Sequence, residues 1–391
     1  VRVAIVVPRY GAEVGGGAET LARLYAHRLA ASADVTVLTT CALEYRTWAD
    51  HFPAGETVDG PVRVLRFPVP EPRDGAAFDA LSARLFGGRA GGPEAEREWM
   101  RAQGPNSPAL LEHLSREGAR YDAVLFIPYL YATTVDGLPL VAERSVLVPA
   151  LHDEPPLALG IFEPVVAAAR RVVFSTPEEA ALAADRFGVG DDRGGVVGVG
   201  IDPQPTGDPA RGRRALGRGE HPYALYLGRI EPSKGCDVLL DAHRRYRRRR
   251  PGGLDLVMIG RPVMDLPAEP WLQAPGFVDE RTKHDALSGA SVLVCPSPYE
   301  SLSLVLLEAW SHGTPTLSSE VSPVLVGQTR RARGGLWFAD GLEYAAALDL
   351  LTSTPALAGA LGRAGRQFAA GHDWDTVTDR LVGHLTAAAG A

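Results

Sequence analysis

Short runs of aliphatic and β-branched residues alternate with amphipathic stretches along most of the chain. Val3 to Val7, Val35 to Thr39, Val62 to Phe67, Ala123 to Ile127, Val146 to Leu151 and Val172 to Ser175 are continuous enough in their apolar character to predict strands buried on both faces. Between the first two, Leu21, Leu24, Tyr25 and Leu29 recur at helical spacing, with Glu19, Arg23 and Arg28 on the other faces, which predicts a crossover helix. A second series runs through Tyr223 to Leu227, Leu254 to Ile259, Val292 to Cys295 and Thr314 to Leu317. Strands that alternate with helices form parallel sheets, so the pattern predicts an α/β fold of two doubly wound halves.

The stretch from Gly198 to Pro222 carries Pro203, Pro205, Pro209 and several glycines, the composition of a connection between domains. We therefore expect a first domain over 1–197, a second over 198–370 and a closing helical segment over 371–391. Residues at about 73–118, rich in Gly, Ala and Arg with a helical fragment at Ala76 to Phe86, interrupt the first series as an insertion. The pattern alone assigns that insertion no role.

Forty basic against forty-seven acidic side chains leave a formal charge of −7 over 391 residues, so the chain has no global positive field with which to gather nucleic acid. An anionic small substrate needs a local basic site. Cys41, Cys236 and Cys295 are odd in number and widely spaced, which supports neither a disulfide framework nor a zinc site and fits a reducing cytoplasm. No run approaches ~18 apolar residues and no apolar leader precedes Val3, so neither a secretion signal nor a membrane span is expected.

Four segments can carry chemistry. Gly15 to Glu19 opens the first crossover helix, where bare backbone amides meet the positive end of the helix dipole and suit an anion or a polar sugar; sterics alone would also explain such a loop. The run Leu227 to Gly235, LGRIEPSKG, leaves a strand and starts a helix near Lys234. There Arg229 and Lys234 would neutralise the charge that grows on a diphosphate leaving group. The run Pro296 to Ala309 places Glu300 in a loop and Glu308 about two turns into a helix, where each carboxylate can accept hydrogen bonds from different hydroxyls of one elongated ligand. In the same run the amides of Leu302, Ser303 and Leu304 would face its phosphates. His152 ends a strand, the edge at which open parallel sheets bind ligands.

Two other features have plain readings. Arg244 to Arg250 ends a helix, where cations favour the dipole; peripheral contact with an anionic inner membrane face is the second reading. Asp373 and Asp375 spell DxD, yet they stand at the start of the last amphipathic helix, so capping is preferred to metal binding and no metal site or cofactor is expected.

Taken together, these motifs resemble family 4 of the retaining nucleotide-sugar glycosyltransferases over nearly the whole chain. The resemblance rests on GGGAE, His152, GRIEPSKG, Gly276 Phe277 Val278 before an acidic helix, the Glu300 to Glu308 element with Ala309, and Gly313 Thr314 Pro315. It implies a GT-B fold, with two Rossmann-like domains facing each other across a cleft and a closing helix that crosses back to the first. It further implies that Arg229 and Lys234 bind the diphosphate, Glu308 the ribose, Glu300 and His152 the transferred hexose, Phe277 and Val278 the base, and Gly16 and Gly17 the phosphate or sugar. The partners it implies are a nucleoside-diphosphate sugar and a natural-product or cell-envelope acceptor, joined with retention and without a metal. Ser303 departs from the family's usual Gly and adds bulk beside the phosphates. A nucleotide-sugar epimerase on the same fold and a noncatalytic nucleotide-sugar-binding protein are the alternative readings.

Overall fold

The computed structural model describes residues 1–87, 91–217, 219 and 221–390. It divides into two compact units, Val1–Val199 with Trp374–Ala391, and Gly200–Asp373. The first holds an eight-stranded sheet of β1 (Arg2–Val6), β2 (Asp34–Thr40), β3 (Gly55–Asp59), β4 (Val62–Phe67), β5 (Ala123–Phe126), β6 (Ser145–Leu147), β7 (Arg171–Phe174) and β8 (Gly194–Val196). Their order is β3-β4-β2-β1-β5-β6-β7-β8, parallel throughout except for the β3–β4 hairpin. The second holds a parallel six-stranded sheet of β9 (Tyr223–Leu227), β10 (Asp255–Ile259), β11 (Leu272–Gly276), β12 (Val292–Cys295), β13 (Thr316–Ser319) and β14 (Gly335–Phe338), in the order β11-β10-β9-β12-β13-β14.

In each sheet the first strand sits where the chain reverses its direction of winding, β1 between β2 and β5 and β9 between β10 and β12. Loops that leave such a strand diverge from those of its neighbour and open a crevice for ligands. Both glycine-bearing segments singled out above leave these two strands.

Several expectations need correction. Residues 148–151, read as strand, are an irregular turn in which Ala150 has φ +54°. Residues 73–118, read as an insertion, form helices Gly75–Phe86, Pro93–Gln103 and Pro108–Glu117, which send Leu81, Trp99, Met100, Leu110 and Leu114 into the core of the first unit. Residues 88–90 of that stretch lie outside the description. The expected connection at 198–222 contains a packed helix, Pro209–Ala215, capped by Asp208 and tied by Arg211 to Asp285, 2.6 Å from Nη2 to Oδ1. Residues 218 and 220 of it are likewise outside the description. The final helix, Trp374–Ala389, belongs to the first unit, where Trp374 meets Tyr25 edge to face and Arg28 lies over the same ring.

The second unit holds two histidines, one fully buried and one half-buried, in neutral form. His243 is fully buried between the Tyr344 hydroxyl (2.8 Å) and the Leu254 carbonyl (3.0 Å), and burial pushes it down to about 3. His312, between Ser288 and His284, is pushed down to about 4, again chiefly by burial. Unfolded histidines take up protons below ~6.5 whereas these do not, so stability falls as pH drops through the window from about 6.5 towards 4. At pH 5 each contributes a loss of about 2 kcal/mol. The thermal midpoint of the second unit should therefore fall between pH 7 and pH 5, with a shallower slope in His243→Gln.

Candidate functional site

The second unit gathers most of the predicted residues at the C-terminal ends of adjacent strands. After β9, Gly228 at φ +141° passes close to Gly260, where an added Cβ would lie 1.9 Å from the Gly228 carbonyl oxygen. The Gly260 amide donates to the Gly276 carbonyl at 2.9 Å, which draws the turn carrying Phe277 towards the loop after β9. Phe277 stands 86% exposed and Val278 is half-buried.

Pro232–Lys234 forms one 3-10 turn, and the following helix, Cys236–Arg249, starts at Cys236 rather than at Lys234. Gly235 between them has φ +72° and packs on Pro296, the first residue after β12. This contact brings two loops of neighbouring strands together, and the Lys234 ammonium meets the Glu300 carboxylate at 2.9 Å. Burial alone would lower the Lys234 ammonium, but the Glu300 charge overrides it and holds the lysine above its ordinary value. Arg229 pairs at 3.2 Å with buried Glu231, which also accepts from the Ser233 hydroxyl.

Helix Leu304–Ser311 places Glu308 little more than one turn in, not two. Glu308 is half-buried and pairs at 2.9 Å with Lys283, a cation the sequence reading missed. Lys283 also reaches Glu280, 2.8 Å away. Burial pulls Lys283 down, and Glu308 with Glu280 more than compensates. The expected row of free amides at 302–304 is interrupted, because the Ser303 N–H donates to the Gln328 side chain at 2.9 Å. Ser303 is buried, with its hydroxyl 3.9 Å from Cys295 Sγ.

His152, Gly16 and Gly17 lie in the first unit. The His152 Nδ1 is 3.3 Å from Glu154, whose carboxylate also accepts from the Tyr129 hydroxyl at 3.2 Å. Gly16 (φ +155°) caps the crossover helix Gly17–Leu29. Glu19, read as lying off the apolar face of that helix, is buried and paired with Arg9, whose guanidinium also donates to the Gly15 carbonyl at 3.2 Å and lies over Tyr45 and Trp48. Arg9 carried no periodic or motif signal. Of the arginine run, Arg244, Arg245, Arg247 and Arg250 each pair with a carboxylate: Glu269, Asp241, Asp255 and Asp349 respectively.

Fold and site together define the class, a two-unit α/β protein with cations and carboxylates at the strand ends of its second sheet. The family model described as "Glycosyl transferases group 1" matches residues 221–353. The D-inositol 3-phosphate glycosyltransferase of Kribbella flavida is 33% identical over 256 residues, covering 60% of this chain and 60% of that protein. Its counterpart in Geodermatophilus obscurus is 31% identical, covering 58% and 54%. The chain thus matches somewhat over half the length of these curated relatives. Among solved structures, sucrose-phosphate synthase from Thermosynechococcus elongatus superposes with a TM-score of 0.73 at 20% identity, covering 98% of this chain and 97% of that one. Anabaena HepE in complex with UDP and glucose gives 0.71 at 15%, covering 99% of both. Residues 221–353 thus resemble glycosyl transferases group 1, and the chain has the GT-B fold.

Proposed function

We propose that this protein transfers a hexose from a nucleoside-diphosphate sugar to a hydroxyl of a small-molecule or glycan acceptor, with retention and without a metal ion. The observation that carries the reading is the Lys234–Glu300 pair at the ends of β9 and β12. An arriving diphosphate takes the place of the carboxylate at Lys234, and Glu300 is released to accept hydrogen bonds from the hydroxyls of the sugar. Arg229 supplies the second cation as charge develops on the leaving phosphate. As the bond from the anomeric carbon to the diphosphate oxygen breaks, the acceptor oxygen bonds to that carbon from the same face and its proton passes to the leaving phosphate. Glu308 binds the ribose hydroxyls, Phe277 and Val278 flank the base, and the Gly16 and Gly17 amides meet the phosphate or sugar. With Nδ1 directed at Glu154, the His152 ring keeps Nε2 for the hexose.

A screen of UDP-, GDP- and dTDP-hexoses for thermal stabilisation and slow hydrolysis tests the reading, beginning with UDP-glucose and offering inositol phosphates among the acceptors. At least one donor should stabilise the protein and be turned over in EDTA, with the product keeping the donor's anomeric configuration by NMR. Failure of every donor to bind or react sinks the reading, and an inverted product removes retention.

A further inference from the structure

Glu179 has no place in the motifs that suggest the reaction, yet it is a fully buried carboxylate bonded to the amide of Leu151, the residue before His152. It sits in the first turn of helix Pro177–Phe187, which follows β7 and is capped by Thr176. Thr176 and Glu179 have the spacing of a capping box, in which the acid would reach back to the capping residue's own amide. The Glu179 carboxylate accepts from two amides outside that box. One oxygen accepts the Ser175 N–H at 2.6 Å and the other accepts the Leu151 N–H at 2.8 Å. It therefore ties the end of β7 to the turn after β6, on the residue that immediately precedes His152. That turn needs a hold, because Ala150 is kept at φ +54°, a left-handed conformation that disfavours a residue with a Cβ.

We propose that Glu179 is a positioning residue for the sugar-contacting His152: its carboxylate clamps the Leu151 and Ser175 amides and so fixes the strained turn that presents the imidazole. The inference rests on the sugar-contacting role given to His152 above. The clamp needs both oxygens as acceptors, which an ionised carboxylate provides and a neutral acid or an amide does not. Burial pushes Glu179 up to about 7 against the pull of the Ser175 and Leu151 amides. The ionisable groups facing it are His152 from the turn and Tyr25 from helix Gly17–Leu29, and burial keeps Tyr25 protonated throughout this range. Between ~4.3, where an unfolded glutamate titrates, and about 7 the folded chain binds the extra proton. Acidification through that window thus adds stability through this group while it loosens the clamp.

The test compares wild type with Glu179→Gln, a near-isosteric change that leaves one amide facing a donor. With the donor identified in the screen, kcat should fall at least tenfold, measured well below the variant's thermal midpoint, with donor KM within twofold. The decline of kcat from pH 8 to pH 6 should be shallower than in wild type. Hydrogen exchange should quicken at least tenfold in peptides spanning 148–155 and not in those of β9 and β12. A kcat within twofold of wild type, or an acid decline as deep as in wild type, overturns the proposal. A wild-type protein inactive on every donor instead sinks the reading of His152, while the exchange measurement still reports whether Glu179 holds the turn.

Discussion

Lys234→Ala is expected to lower kcat/KM by at least ~10²-fold, the scale on which removal of one donor to transition-state charge is felt. The loss has two sources. The ammonium that would follow charge onto the leaving phosphate is gone, and Glu300, only 16% exposed at its side chain, loses the cation that holds it in place. Steady-state kinetics and UDP binding separate these. If the main role is in the transition state, kcat falls further than UDP affinity. Lys234→Arg keeps the charge but replaces a compact ammonium with a planar fork, and should restore binding better than turnover. Wild-type turnover in Lys234→Ala would remove the central claim about this site.

Gly235→Ala should be nearly as damaging although Gly235 has no side chain to lose. A Cβ there would stand 2.3 Å from the Pro296 carbonyl oxygen and 2.9 Å from its carbon, and the backbone at φ +72° disfavours any L side chain. Overpacking and left-handed strain together cost about 2–4 kcal/mol. The chain relieves this by parting the two loops, which separates Lys234 from Glu300. We expect a lowered thermal midpoint and a fall in kcat/KM of at least ~10-fold, following the sensitivity of catalysis to displacements of about 1 Å. A variant as active and as stable as wild type would show that the two loops do not depend on this contact.

The interior of both sheets was legible in the sequence, and their edges were not. The four strands that periodicity missed, β3, β8, β11 and β14, are the outermost strands of the two sheets. Interior parallel strands are buried on both faces and read as continuous apolar runs. An edge strand is not: Val58 of β3 is 75% exposed, β8 is three residues long, and β11 contains Pro275, which an edge tolerates because its missing N–H need not face a partner. The core role of residues 73–118 was hidden for a related reason. Their apolar residues are few and spread over three helices, and they become a core surface only when Trp99, Met100 and Leu110 are folded onto the sheet.

By itself the sequence determined the alternation of strands and helices, the order of the glycine, cation and carboxylate motifs, and their attachment to strand ends, because each depends on residues close together along the chain. The tertiary structure alone decided the pairing of charges. Lys234 with Glu300, Lys283 with Glu308, Arg9 with Glu19 and Glu179 with the Leu151 amide all join groups separated by ten or more residues. Whether a carboxylate faces water, a lysine or two backbone amides is set by which strands become neighbours, and no local pattern of hydrophobicity encodes that.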